Sequence, residues 1–132
     1  MTITRRGFVI GSATAASLMV AVPAQAIEPK PFDQKAFDMA LKTGKSILIE
    51  ITAPWCPTCK AQKPILSELT RKSKFKDMQV FEVDFDTQKD IVRRFKAQAQ
   101  STLIAFKGER EVGRSVGDTN RGSIEDLLNK SI

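Results

Sequence analysis

Ser46-Ile47-Leu48-Ile49-Glu50-Ile51-Thr52-Ala53-Pro54-Trp55-Cys56-Pro57-Thr58-Cys59-Lys60 is the stretch whose reading decides the fold. Its first half is an apolar run of strand length, rich in β-branched residues and interrupted only by Glu50. It reads as a buried strand. Ala53 and Pro54 end that strand. The second half holds the only 2 cysteines of the chain, two residues apart. From Pro57 to about Lys72 the pattern turns helical, with Ile65, Leu66 and Leu69 on one face. Pro64 falls inside this helix and is expected to kink it.

The flanking sequence fits the same layered plan. Upstream, Ile27 to Pro31 is an extended lead-in with two prolines. Asp33 to Lys42 follows, with apolar residues at helical spacing, and Thr43-Gly44-Lys45 stops it. Downstream, Arg71 to Lys76 is basic and irregular, and Gln79 to Phe85 alternates like a strand. Asp90 to Ala97 reads as a short helix and Thr102 to Phe106 as a further apolar strand. Lys107 to Arg110 is a hairpin turn, Glu111 to Val116 the return strand, and an amphipathic helix with Ile124, Leu127 and Leu128 closes the chain. This order predicts an α/β protein with a central mixed β-sheet flanked by helices on both faces. A length of 132 residues suits one domain.

A Cys-x-x-Cys where a strand runs into a helix has a chemical logic. The first thiol lies at the helix N-terminus, where unpaired N–H groups and the helix dipole favour an anion. Its pKa is expected to fall below the ordinary ~8.5. The second thiol sits one turn along, within bonding distance. Cys56 is therefore the expected attacking, more exposed nucleophile, and Cys59 the buried resolving thiol. Pro57 suits the first helical position, where no N–H bond is lost. A structural disulfide and a metal half-site completed by a partner are the competing readings of the pair. The chain has no histidine, which removes Cys-His proteases, Ser-His-Asp triads and His-ligated metal sites. Two cysteines alone do not close a four-cysteine metal site.

Ile47 to Leu69 resembles the active-site strand and helix of the thioredoxin family. The likeness rests on the acid in the strand (Glu50), the Trp-Cys-x-x-Cys-Lys core and the helix proline Pro64. Val80 to Asp86, Thr102 to Gly108 and Val116-Gly117 extend it over nearly all of residues 27–132. The resemblance implies the thioredoxin fold and thiol:disulfide oxidoreductase activity. It implies that Glu50 shuttles a proton to or from Cys59, and burial is expected to raise its pKa. It also implies a substrate surface built from Trp55, Pro57, Thr58, Gln100, Ser101, Thr102 and Gly117, with Gln100-Ser101 pairing with substrate backbone.

The sequence departs from the family pattern at several positions. The strand acid is Glu50 where an aspartate is usual. Glu82 stands where a lysine is frequent, and strand alternation alone leaves its direction open. Pro57-Thr58 replaces Gly-Pro. Ser101 occupies the place of the family's cis-proline. A non-proline cis bond costs ~3–4 kcal/mol, so a trans bond or an altered loop is expected there, with space opened beside the cysteines.

Residues 1–26 read as an export signal. Arg5 and Arg6 form a positive start, Phe8 to Val22 is apolar, and Ala24-Gln25-Ala26 is a small-x-small cleavage site. Thr4-Arg5-Arg6-Gly7-Phe8-Val9-Ile10 matches the twin-arginine pattern; an ordinary secretory signal and an uncleaved anchor are the alternatives. Cleavage after Ala26 would leave residues 27–132 as a periplasmic domain. The expected activity is reduction, or exchange, of disulfides in periplasmic proteins by a monomer with no cofactor and no bound metal. Its expected partners are protein disulfide or dithiol substrates and a membrane electron donor that recharges it. The basic residues Lys60, Lys63, Arg71, Lys72, Lys74 and Lys76 lack interleaved aromatics, so no nucleic acid is expected. A metal-handling module and a non-catalytic partner-binding domain are the alternative functions.

Overall fold

A computed structural model describes residues 15–132. The twin-arginine stretch, with Arg5, Arg6 and the first part of the apolar run, lies outside the described residues. Residues 15–29 form no regular secondary structure. Among the described residues no helix is long and apolar enough to cross a membrane.

Among the described residues, five strands and four α-helices follow in the order β1 (Lys30–Pro31), α1 (Gln34–Lys42), β2 (Ser46–Thr52), α2 (Pro57–Thr70), β3 (Gln79–Asp84), α3 (Lys89–Arg94), β4 (Thr102–Lys107), β5 (Arg110–Val116) and α4 (Arg121–Asn129). The basic stretch after α2 contains a short 3₁₀ turn, Ser73–Phe75. The strands form one sheet in the order β1-β3-β2-β4-β5. β2 runs parallel to β3 and antiparallel to β4, so the sheet is mixed, as the sequence predicts. The lead-in is itself an edge strand: Lys30 and Pro31 pair with Phe81 and Glu82. Proline is tolerated there because an edge strand leaves some N–H groups unpaired.

The central strand is buried on both faces, which is why its sequence is almost continuously apolar. Ile47, Ile49 and Ile51 pack with Phe37, Phe81 and Phe95 under α1 and α3. Leu48 packs with Leu66, Leu69, Ile124 and Leu128 under α2 and α4. Each fully buried side chain of this size contributes roughly 1.5–3 kcal/mol. Asp33 caps α1 by accepting from the Ala36 N–H at 2.8 Å, and Gly44 ends it with φ +70°. Between β4 and β5 the register shifts, so that Phe106 opposes Glu111 while Ala105 opposes Gly113. A Cβ on Gly113 would stand 2.9 Å from a Leu127 methyl, so this glycine lets α4 lie close on the sheet.

Candidate active site

The polypeptide leaves β2 at Thr52 and starts α2 at Pro57, which brings the two cysteines to the end of the central strand. Cys56 is the N-cap of α2. Its sulfur accepts the Cys59 N–H at 3.1 Å, one of the donors that a helix start leaves unpaired. Cys56 and Cys59 form a disulfide with a Cα–Cα separation of 5.3 Å. The pair packs with Ala53 and the partly buried Phe85.

Both sulfurs are more enclosed than the sequence suggests. Cys56 is 1% exposed and Cys59 3%, so Cys56 is not the more exposed cysteine in the disulfide form. Besides Ala53 and Phe85, Ser101 stands against the pair, itself 4% exposed. Its Oγ lies 3.2 Å from Cys56 Sγ and 3.5 Å from Cys59 Sγ. The expected space beside the cysteines is therefore filled by a hydroxyl. The Gln100–Ser101 bond is trans, and the loop is altered as anticipated: Ser101 has φ +61°, a left-handed conformation that is uncommon for a residue with a side chain.

The remaining residues of the expected substrate surface divide by placement. Trp55, at 56% exposure, stands beside the disulfide, and its indole N–H donates to Asp86 Oδ2 at 2.6 Å. Pro57 and Gly117 are exposed, and Thr58 and Gln100 are half-buried. Gly117 has φ +69° and donates its N–H to the Ser101 carbonyl at 3.0 Å. Thr102 is buried and its hydroxyl donates to the Ala99 carbonyl at 2.7 Å, so it holds the loop rather than facing outward.

Glu50 sits two residues past Leu48 and so shares its face toward α2. It is 6% exposed and opposes Glu82 across the β2–β3 pair. The structure decides the direction of Glu82: it lines the same cleft as Glu50 and pairs with Lys63 Nζ at 3.2 Å. Burial pushes the Glu50 carboxyl up to about 7; the neighbouring Glu82 charge adds to this and Lys63 opposes it. A group with that pKa carries and releases a proton near neutrality. The cleft in front of it measures about 430 Å³ and is lined by Ile27, Glu28, Pro29, Lys63 and Pro64 among others, but by neither cysteine. Glu50 is therefore reached from solvent through the β3–α2 side.

The sequence reading passed over two residues. Asp86 anchors Trp55 across 31 positions, a pairing that no local pattern reports. Gln62 is buried on α2, donating to the carbonyls of Ser101 (3.2 Å) and Asp118 (2.8 Å). A signal for it existed: Cys59, Gln62, Leu66 and Leu69 recur at helical spacing on the buried face, and an amide in such a stripe needs partners. Among the described residues no group of three or more Cys, Asp or Glu side chains is placed to hold a metal ion.

A vicinal cysteine pair at a helix start, on a mixed sheet with a buried acid behind it, is the arrangement of a thiol:disulfide oxidoreductase. The profile of the thioredoxin family matches residues 28–130, and this chain belongs to that family. A thioredoxin H-type of Fagopyrum esculentum is 38% identical over 94 residues, covering 71% of this chain and 76% of that protein. The protein disulfide-isomerase erp38 of Neurospora crassa is 38% identical over 106 residues, covering 76% of this chain and 28% of the longer relative. The crystal structure of Trxlp from Edwardsiella tarda EIB202 superposes with a TM-score of 0.74 at 38% identity, covering 76% of this chain and 98% of that one. The expected fold and the thiol:disulfide oxidoreductase activity stand.

Proposed function

We propose that this chain is an exported reductase of protein disulfides. One observation carries the reading: Cys56 caps α2 with its sulfur on the Cys59 N–H and is disulfide-bonded to Cys59. In the reduced form Cys56 is the thiolate. It attacks one sulfur of a substrate disulfide, forming a mixed disulfide and releasing the other sulfur as a thiolate. Cys59 then loses its proton and attacks Cys56 Sγ. The substrate's second sulfur leaves, and the Cys56–Cys59 disulfide closes. Two electrons have passed to the substrate. Glu50 takes the proton from Cys59, and the cleft beside Lys63 and Glu82 links it to solvent. Trp55, Pro57, Gln100 and Gly117 form the rim that the substrate meets.

The signal-like pattern of residues 1–26 supports a periplasmic setting. A reductant there needs a membrane electron donor to restore the dithiol. Four measurements test these points. The pure protein is expected to reduce insulin disulfides with turnover, and Cys56→Ala to abolish it; turnover that survives the substitution would refute the mechanism. Equilibration with glutathione is expected to give a potential near that of thioredoxin, about −270 mV; a value near about −120 mV would assign an oxidant instead. A reporter fused after Ala26 is expected to be exported, and the paired Arg5→Lys and Arg6→Lys substitutions to block that export. Sedimentation is expected to show a monomer.

A further inference from the structure

Ser101 is polar, buried and held in a left-handed conformation, three features that rarely coincide without a use. A residue with a side chain keeps such a backbone only where its surroundings over-determine it. The surrounding structure enforces it. Gln62 Nε2 and the Gly117 N–H both donate to the Ser101 carbonyl, and Gln62 also ties the loop to Asp118. The result places Oγ within reach of both sulfurs, 3.2 Å from Cys56 and 3.5 Å from Cys59. In the disulfide neither sulfur carries a proton, so the serine O–H is the donor.

We propose that Ser101 is a catalytic hydrogen-bond donor to the Cys56 sulfur, held on station by Gln62 as a positioning residue, and that it favours the reduced pair over the disulfide. This rests on Cys56–Cys59 being the working dithiol. A disulfide sulfur is a weak acceptor and a thiolate a strong one. The donor is already in place in the disulfide, so reduction converts a weak contact into a charge-assisted hydrogen bond without rearrangement. The balanced step is the following. A donor dithiol gives two electrons, the Cys56–Cys59 bond breaks, and the donor's two sulfurs join. Cys56 emerges as thiolate and Cys59 as thiol, and one proton is released. The Ser101 oxygen then accepts the Cys59 S–H while its own hydrogen remains on Cys56, so one hydroxyl bridges the two products of reduction. The ionisable side chains on β2, α2 and β3 are Glu50, Lys60, Lys63, Glu68, Glu82 and Asp84, and the neighbouring loops carry Asp86 and Asp118. Among the described residues only the Cys59 N–H and Ser101 hydrogen-bond Cys56 Sγ.

The effect is relative: Ser101 makes the pair a milder reductant than the same scaffold without the hydroxyl. Ser101→Ala and Ser101→Gly test it, read by the pH at which Cys56 forms its thiolate and by the equilibrium with glutathione. Both variants are expected to move thiolate formation to higher pH. Both are expected to shift the equilibrium about tenfold toward the disulfide, or about 30 mV. Glycine accepts a positive φ without strain, so Ser101→Gly stays decisive if alanine perturbs the loop. Gln62→Met keeps the chain length and removes both donors; it is expected to move both readouts the same way by a smaller factor. Folded Ser101→Ala and Ser101→Gly proteins with unchanged thiolate titration and unchanged equilibrium would overturn the proposal. Thiolate titration needs no turnover. A wild-type protein inactive on insulin whose variants still show the shift would sink the reductase reading alone, and an active one without the shift would sink this one.

Discussion

Strand β2 shows Ile47, Ile49 and Ile51 to one layer of helices and Leu48 and Glu50 to the other. The first face is wholly apolar. Phe32, Phe37, Phe81, Phe95 and Phe106 meet there, mostly edge to face and with Phe32 and Phe37 tilted, with centroids 5.4–6.2 Å apart. Such pairs add roughly 0.5–1.5 kcal/mol beyond area burial. The second face breaks its apolar packing with a carboxyl that has lost most of its water and has an acid for a neighbour. One face stabilises the fold. The other gives up some of that stability to bury a carboxyl, the proton carrier of the mechanism proposed above. Substitutions on the two faces therefore have different signatures.

Cys56→Ala has the largest expected effect and marks the end of the functional face: all turnover is lost while the denaturation midpoint in reducing buffer barely moves. Insulin reduction and denaturant melts measured together check this. Phe37→Ala does the reverse. It empties a buried site among four other aromatic rings and is expected to cost about 3–5 kcal/mol, with the activity per folded molecule unchanged. Activity corrected for the folded fraction tests the separation of the two faces.

Glu50→Gln moves both stability and activity. Below pH 4.5, the carboxyl's ordinary value, folded and unfolded chains both hold the proton and the substitution changes little. Between 4.5 and about 7 the unfolded chain ionises while the folded one resists, so native stability falls as pH rises. Above that window the penalty is complete, about 3 kcal/mol for a shift of this size. Glu50→Gln is thus expected to be neutral near pH 4 and stabilising near pH 8, yet slower in turnover by ~10²-fold or more. Denaturant midpoints at the two pH values decide it; equal gains at both would remove the burial argument. Glu82→Gln is the smallest effect. It takes away the neighbour that raises Glu50, so the midpoint of the Glu50 titration is expected to fall. Lys63→Met is expected to raise it. A carboxyl-carbon titration by nuclear magnetic resonance reads both directions.

Most of the scaffold was legible because local patterns carry it. The apolar run 46–52, the helix stripe of α2 and the hairpin before β5 each fall within two residues of the observed elements. The two-residue edge strand was missed because its pairing with Phe81 and Glu82 is made across the chain. The dithiol was legible for the same local reason, since spacing and position at a helix start are properties of one segment. The enclosure of Cys56 was not, because Ser101 covers it from 45 residues away.

Chain order alone determined the strand-to-helix junction, the identity of the two thiols and the acid in the buried strand; Ser101 was singled out only by the family resemblance. The first three are matters of residue type and short-range periodicity. Only the tertiary structure decided what surrounds each of them. It turned Glu82 toward Glu50 through the parallel register of β2 and β3, and it set the Ser101 hydroxyl on the sulfurs through the Gln62 clamp. A carboxyl's pKa and a sulfur's hydrogen bonds depend on neighbours that folding brings together from distant parts of the chain, and those distances are absent from any local pattern.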